Sequence, residues 1–216
     1  MDKINVVCVY KNQTNDHKPW VRYSEEYVDK LFRGVDRNIK INFDFYCLSN
    51  TKTKYNTIPL VTDSDGYWNK IELFRPNLFV GPTLYLDLDV VVCNDITDLV
   101  NQVTPDRLLM VEEPYRSIHN SSVMLWNNDY SDLYFNYINN QQEVIRDYTN
   151  VDRDGALGDQ AYISENIKHE TFDQKYIGWK HHKIVTEIKD PSLVIFTGRK
   201  KPHLETDTDI IRENWV

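Results

Sequence analysis

Residues 84–92 constrain this chain more than any other segment. They read Leu-Tyr-Leu-Asp-Leu-Asp-Val-Val-Val, so apolar residues flank two carboxylates, Asp87 and Asp89. A continuous apolar run rich in β-branched residues predicts a strand that is buried on both faces. An ionised carboxylate in such a place is costly unless another group compensates it. We therefore expect both aspartates at the end of a central strand, in the crevice where open α/β sheets bind ligands.

An Asp-x-Asp pair is suited to a hard divalent cation, above all one that also carries phosphate oxygens. The two carboxylates supply only part of such a coordination shell, and water, substrate phosphates or a distant side chain must supply the rest. A bare Asp-x-Asp is also compatible with a solvated turn. The apolar flanks and the motifs described below favour the cation site.

The order of elements around this segment predicts an α/β fold. Residues 4–10 read as a buried strand, and residues 41–48 alternate and read as a second strand. The helix between them begins at Ser24 with an apolar face that runs from Tyr27 to Val35. A strand–helix–strand opening implies parallel pairing with a right-handed crossover. We predict one domain, residues 1–216, with a Rossmann-like, mostly parallel central sheet flanked by helices.

Weaker patterns fill in the rest of the chain. Residues 50–66 are polar and turn-rich, and 67–75 predict a short helix that Pro76 ends. Further strands are predicted at 107–111, 121–126, 176–179, 184–188 and 193–196. Helices are predicted at 130–148, from Gly158 to about Ile167, and at 206–215.

Composition excludes several classes of protein. The net charge of −8 argues against a duplex nucleic-acid surface, which needs clustered lysine and arginine. Three cysteines, Cys8, Cys47 and Cys93, lie in apolar strand-like runs, which predicts buried reduced thiols in a cytoplasmic protein, the host cytoplasm if it is viral. No apolar run reaches the length of a membrane span, and no signal-peptide pattern occurs.

Several separate stretches together resemble metal-dependent glycosyltransferases of the GT-A fold, in particular family 8 and its short bacterial and phage-type relatives. Residues 85–89 match the family's Asp-x-Asp motif, and 68–75 resemble the segment that precedes it. Residues 119–127 resemble the family's Asn-x-Gly-x-Met segment, with Ser122 in place of glycine. Residues 158–160 resemble its Asp-Gln pair, and 196–203 resemble its C-terminal loop.

This resemblance implies a nucleoside-diphosphate sugar as donor, UDP- or GDP-linked, and Mn²⁺ or Mg²⁺ as cofactor. It implies that the metal is held by Asp87, Asp89 and a histidine. It assigns the donor sugar and reaction centre to Asn120, Asp159 and Gln160. It assigns the nucleotide and its diphosphate to a larger set: Val9, Tyr10, Lys11, Lys70, Arg75, Asp87, Leu88, Gly198 and Lys201, with Arg199 and Lys200 as further cations.

The histidine is where the chain departs from family 8. There the ligand precedes the phenylalanine of the loop, and Ile195 occupies that position here. The short bacterial relatives end the loop Lys-Pro-His, as this chain does, so the resemblance favours His203. His181 and His182 are the other candidates near this end of the chain.

The expected reaction moves a sugar to an acceptor hydroxyl on a glycan, lipid, protein or modified base. Family 8 retains the anomeric configuration, which would place Gln160 or a backbone group at the anomeric carbon. In an inverting enzyme Asp159 would be the general base. Trp126 and Trp179 are candidates for stacking on a sugar ring, although core packing is favoured for each.

Three other functions use similar features. A nucleotidyltransferase that makes sugar nucleotides also needs acidic cation ligands, but it opens with a glycine-rich loop, and residues 9–13 contain no glycine. A sugar-nucleotide-binding module without turnover is a second alternative. An enzyme that glycosylates modified DNA bases is a third, supported by the basic residues 199–201 and opposed by the net acidic charge.

Overall fold

The computed structural model describes residues 2–12, 23–114, 119–149, 158–181, 184–185, 189–197, 201–205 and 208–216. The strands are β1 (Lys3–Tyr10), β2 (Asn42–Ser49), β3 (Asn56–Pro59), β4 (Thr83–Leu86), β5 (Val91–Val92), β6 (Leu108–Glu112), β7 (His119–Trp126), β8 (His169–Thr171), β9 (Ile177–His181), β10 (Ile184–Val185) and β11 (Leu193–Thr197). The α-helices are α1 (Glu25–Asn38), α2 (Thr97–Val100), α3 (Ser131–Asn139), α4 (Gln141–Thr149), α5 (Asp159–Asn166) and α6 (Asp209–Asn214). Three 3₁₀ helices span Gly66–Phe74, Gln174–Tyr176 and Pro202–Leu204.

The main sheet has seven strands in the order β3-β2-β1-β4-β7-β6-β8. Strands β3, β2, β1 and β4 are parallel to one another, β7 is antiparallel to both β4 and β6, and β8 is parallel to β6. The predicted fold class, an α/β domain with a mostly parallel central sheet flanked by helices, is confirmed. Strand β4 lies in the middle of the order, as its apolar sequence predicts.

A second sheet has the order β10-β9-β11-β5. Strand β5 pairs antiparallel with β11, so the chain leaves the main sheet after β4 and enters the second sheet only a few residues later. The prediction of one continuous strand over residues 84–92 is therefore wrong. The two aspartates lie between β4 and β5, because carboxylates between apolar runs favour a turn over a buried strand interior.

The apolar faces of the two sheets share one buried cluster with α1 and α6. A second cluster covers the other face of the main sheet and is formed with the Gly66–Phe74 3₁₀ helix and helices α3 to α5. The predicted face of α1 is buried at Tyr27, Val28, Leu31 and Val35. All three cysteines are buried free thiols, as predicted.

Several predicted elements differ in detail. The segment 50–66, predicted to be polar and turn-rich, contains the short strand β3, which pairs with β2 at the edge of the sheet. Strand β8 was not predicted from the sequence. The short helix predicted before Pro76 is present and is a 3₁₀ helix. The closing helix is shorter than predicted, and residues 206–207 lie outside the described chain. Among the described helices, none is both long and apolar enough to cross a membrane.

Candidate active site

The acidic motif forms a tight turn at the carboxyl end of β4. The amide of Asp87 donates to the carbonyl of Ser122 on β7 at 2.8 Å, and the amide of Val90 donates back to the carbonyl of Asp87 at 3.1 Å. Leu88 is buried between the two aspartates and anchors the turn in the core. The turn that carries both carboxylates is thus held by backbone hydrogen bonds of Asp87 and by the packing of Leu88.

Lys70 connects the acidic motif to the start of α5. Its ammonium lies 3.1 Å from Asp87 Oδ1 and 3.0 Å from Asp159 Oδ2, and it donates to Ser121 Oγ at 2.9 Å. Ser121 in turn donates to Asp159 Oδ2 at 2.6 Å. Tyr85 donates its hydroxyl to Asp87. One buried cation therefore bridges two carboxylates from separate elements.

The charges in this cluster shift one another's pKa values. Burial works against the charge on Lys70, but Asp159 and Asp87 outweigh it and raise the pKa of the lysine. Burial likewise disfavours the anion of Asp87, but Lys70 and the hydroxyl of Tyr85 hold the pKa of Asp87 below its usual range. At Asp159 burial dominates over Lys70 and Ser121, so its pKa is raised. The two carboxylates that share Lys70 are consequently unequal as bases.

Asp89 has a second lysine as partner. The ammonium of Lys201 lies 2.5 Å from Asp89 Oδ2, and the hydroxyl of Tyr23 donates to the same oxygen at 3.0 Å. Lys201 also lies over the Tyr23 ring at 5.8 Å from its centroid. Each aspartate of the motif therefore has its own ammonium group.

His203 lies two residues beyond Lys201, in the Pro202–Leu204 3₁₀ helix. Its Nδ1 is hydrogen-bonded to the hydroxyl of Tyr27, whose ring packs edge-on against Tyr23 with centroids 5.0 Å apart. His203 and Asp89 are thus connected through two tyrosines, Tyr27 and Tyr23, which are four positions apart in the chain. No set of three acidic, histidine or cysteine side chains closes into a metal site within the described residues.

The donor set can be compared with the needs of a Mn²⁺ or Mg²⁺ ion. Within the described chain, both hydrogen bonds of Asp89 end on Oδ2, which leaves Oδ1 for another ligand. Two carboxylates at one turn provide the hard oxygen ligands that these ions prefer, and the remaining positions suit phosphate and water. The residues at the turn therefore fit such an ion, and the histidine ligand stays a prediction.

Three of the residues predicted for the nucleotide, Val9, Tyr10 and Lys11, lie at the carboxyl end of β1. Tyr10 is buried and Val9 is partly buried. The ammonium of Lys11 donates to Asp63 at 2.9 Å and to the carbonyl of Ser64 at 2.7 Å, so it holds the loop before the 3₁₀ helix. These contacts place the three residues along one sheet edge.

Other predicted residues are scattered around the cluster. Asn120 is buried on β7, where its side chain accepts from the amide of Ser122 at 2.8 Å. Gln160 is partly buried in the first turn of α5. Arg75 is not brought into the cluster, because its guanidinium faces Glu72 at 3.6 Å. The predictions on Gly198, Arg199, Lys200 and His182, and on the side chain of His181, lie outside the described residues.

Both candidate stacking tryptophans are buried. Trp126 is 5% exposed and Trp179 is 1% exposed, so neither can stack on a sugar, and the core-packing alternative is confirmed.

Sequence reasoning missed four residues that hold the charged groups in place: Ser121, Tyr23, Tyr27 and Tyr85. The spacing of Tyr85 and Asp87 on a strand carried a usable signal, because residues two apart share a face. Tyr23 immediately precedes the N-cap Ser24, and a residue at that position often packs on the first turn of the helix, where Tyr27 lies.

Comparison with solved structures shows which fold this geometry belongs to. The glycosyltransferase GlyE of Streptococcus pneumoniae TIGR4 superposes with a TM-score of 0.66 at 14% identity, over 100% of this chain and 60% of that one. An active-site mutant of LgtC gives 0.65 at 12% identity, over 97% of this chain and 93% of LgtC. LgtC, a galactosyltransferase, in complex with donor and acceptor sugar analogues gives 0.64 at 13% identity.

These identities show a shared fold. The chain spans about three fifths of the length of GlyE and nearly the whole length of LgtC. Comparison with protein-family models finds no match, and comparison with curated proteins finds none either.

Proposed function

We propose that this chain is a glycosyltransferase that moves a sugar from a nucleoside-diphosphate sugar to an acceptor hydroxyl. The observation that carries the proposal is the turn of Asp87 and Asp89 at the carboxyl end of β4, with a lysine ammonium against each carboxylate. This is the edge of the sheet where α/β folds bind ligands, and the fold is one that solved glycosyltransferases share.

A Mn²⁺ or Mg²⁺ ion would be held by Asp87 and Asp89, with His203 as the proposed third ligand. When bound, it would supply positive charge against the diphosphate that leaves the sugar.

Two lysines of the chain lie where they can also act on the negative charge of the leaving diphosphate. Lys201 is within reach of Asp89 and of any phosphate that approaches it, and it belongs to the predicted C-terminal loop, residues 196–203. A lysine placed against developing negative charge in a water-poor site stabilises the transition state more than it stabilises the substrate. Lys70 is buried deeper, and its first role is to hold Asp87 and Asp159 in place.

Three polar side chains near the start of α5 would contact the donor sugar. Asp159 and Gln160 open α5, and Asn120 lies on the neighbouring strand β7. We propose that they hold the donor sugar by its hydroxyls. Retention of configuration is the outcome that we propose, with Gln160 at the anomeric carbon, since the anion of Asp159 is already engaged by Lys70 and Ser121.

The experiment is donor turnover by the purified chain with a panel of UDP- and GDP-sugars, with and without Mn²⁺. We expect Mn²⁺-dependent release of nucleoside diphosphate and a loss of about a hundredfold or more in Asp89→Asn, since a charged ligand of the ion that stabilises the leaving diphosphate is removed. Asp95→Asn is the matched control, because Asp95 is a partly exposed aspartate that pairs with Lys40 away from the motif.

Other outcomes would replace the proposal. Release of pyrophosphate from a nucleoside triphosphate and a sugar phosphate would indicate a nucleotidyltransferase. Metal-dependent binding of nucleotide sugars without any turnover would indicate a binding module. Equal activity of Asp89→Asn and the native chain would remove the acidic motif from the mechanism.

A further inference from the structure

Two large aromatic side chains are exposed in the described chain, Tyr67 at 40% and Phe135 at 48%. Phe135 lies on α3, whereas Tyr67 lies in the 3₁₀ helix that also carries Lys70. Tyr67 is therefore the exposed aromatic residue that shares an element with the charged cluster.

The geometry of this helix brings Tyr67 to the reaction centre. Side chains three residues apart in a 3₁₀ helix eclipse each other, so Tyr67 and Lys70 lie on one face. The Lys70 ammonium contacts Asp159, and the Tyr67 ring lies against Gly158, the residue immediately before it. One face of the 3₁₀ helix thus contacts two consecutive residues, Gly158 and Asp159, at the start of α5. The Lys70 ammonium is buried, whereas the Tyr67 ring is partly exposed at the surface.

Gly158 is required for this contact. A Cβ at this position would overlap the Tyr67 ring, and the backbone has φ +67°, which side chains rarely adopt. Behind the ring lies Trp68, with centroids 5.6 Å apart, and Trp68 is itself stacked on the buried Tyr137. The Tyr67 ring is therefore held by packing on Trp68 and Gly158, and part of it is exposed to solvent next to the start of α5.

The charges next to the ring restrict what binds there. Asp63 and Asp65 are exposed in the loop that leads into the 3₁₀ helix. Asp63 pairs with Lys11, whereas no ion pair joins Asp65 to another described residue. A phosphate group would be repelled by this acidic rim, while sugar hydroxyls donate hydrogen bonds to carboxylates.

We infer that Tyr67 is an acceptor-specificity residue: its exposed ring is the platform on which an uncharged saccharide acceptor lies beside Asp159. The inference rests on the proposed glycosyl transfer and deepens it by naming the acceptor class. The apolar C–H face of a pyranose packs on the ring, and this places an acceptor hydroxyl at the start of α5, where the donor sugar is held. A phosphorylated acceptor or nucleic acid is disfavoured by the aspartates.

The test compares the native chain with Tyr67→Ala, Tyr67→Phe and Phe135→Ala. Binding of methyl glucoside, methyl galactoside and methyl N-acetylglucosaminide is measured by ligand-observed NMR without donor or metal, against glucose 6-phosphate and adenosine. We expect Tyr67→Ala to weaken binding of the preferred glycoside by about tenfold, the scale of one aromatic contact, while Tyr67→Phe and Phe135→Ala retain it. Thermal unfolding checks that each variant is folded.

The second arm measures turnover. With a glycoside as acceptor, Tyr67→Ala is expected to raise the KM for the acceptor by the same factor and to leave donor hydrolysis and nucleotide affinity unchanged. The inference is overturned if no glycoside binds the native chain, if glucose 6-phosphate or adenosine binds more tightly, or if Tyr67→Ala equals Phe135→Ala. If no nucleotide sugar is turned over at all, the proposed function fails, and the NMR comparison still decides the role of the ring.

Discussion

The ammonium of Lys201 lies 2.5 Å from Oδ2 of Asp89, although the two residues are 112 positions apart in the chain. Both are buried. The negative charge of Asp89, which we propose as a ligand of the divalent ion, is thus compensated by the ammonium of Lys201. A divalent ion that binds at Asp89 has to compete with this lysine, whereas an ion that arrives with a diphosphate offers the lysine a new partner.

This contact predicts opposite effects of one substitution on two ligands. Lys201→Met should bind Mn²⁺ alone about tenfold or more tightly, because a unit charge a few ångströms away is worth about 1–4 kcal/mol. The same variant should bind a nucleoside diphosphate more weakly, because a cation that faces the phosphates is lost. Titration calorimetry with each ligand measures both, and a weaker affinity for Mn²⁺ in the variant would contradict the competition.

A second prediction concerns stability. Lys70 is buried between Asp87 and Asp159, so Lys70→Met leaves two buried carboxylates without their shared cation. We expect the free energy of unfolding to fall by about 3–5 kcal/mol, the usual cost of breaking a buried ion pair by removing one partner. Urea denaturation measures it. Lys40→Ala, which breaks an exposed pair with Asp95, is the control and should leave the midpoint unchanged.

A third prediction uses the opposite pKa shifts of the two carboxylates. The pKa of Asp87 is lowered, so its contribution to stability is present above the ordinary value of about 3.9 and is lost as the pH falls through the folded value. The pKa of Asp159 is raised, so its anion destabilises the fold increasingly as the pH rises from about 3.9 through the folded value.

The two asparagine variants should therefore show opposite slopes. The stability advantage of the native chain over Asp87→Asn should shrink as the pH is lowered below about 4, and its advantage over Asp159→Asn should grow as the pH is lowered from neutral towards about 4. Urea midpoints at a series of pH values, at constant ionic strength, give both curves. Slopes of the same sign would show that the burial argument for Asp159 is wrong.

A fourth prediction tests the proposed third ligand. His203→Ala should weaken Mn²⁺ binding in the presence of a nucleoside diphosphate by about tenfold or more, as loss of a ligand or of its support usually does. His181→Ala and His182→Ala should have smaller effects. Tyr27→Phe, which removes the hydroxyl on Nδ1, should have an intermediate one. Electron paramagnetic resonance of Mn²⁺ gives the affinities, and equal effects of the three histidine substitutions would rule out His203 as the ligand.

A fifth prediction concerns the backing of the Tyr67 ring. Gly158→Ala places a Cβ on the ring and strains a positive φ, so it should cost about 1–3 kcal/mol of stability and weaken glycoside binding. Gly66→Ala is the matched control, since Gly66 also has a positive φ but has open space where the Cβ would be. It should share the strain and keep glycoside affinity. A loss of affinity in both variants would point to a general loss of structure.

Much of the fold was predictable because it depends on local patterns. The apolar run that ends at Asp87 gave the central strand, and the face from Tyr27 to Val35 gave α1. Burial of a periodic apolar face stabilises an element wherever it packs, so the pattern by itself carries that information. The break between β4 and β5 was missed, because the two apolar runs look alike and belong to different sheets.

By itself, the sequence determined the acidic pair, its place after a buried strand and most of the helices and longer strands, since these follow from neighbouring side chains and their burial. Only the tertiary structure decided the partners of each charge: Lys70 with Asp87 and Asp159, and Lys201 with Asp89. It also decided that Tyr67 is exposed while Trp126 is buried. The reason is physical, since ion pairs and exposure depend on residues far apart in the chain, and those distances exist only once the sheets have packed.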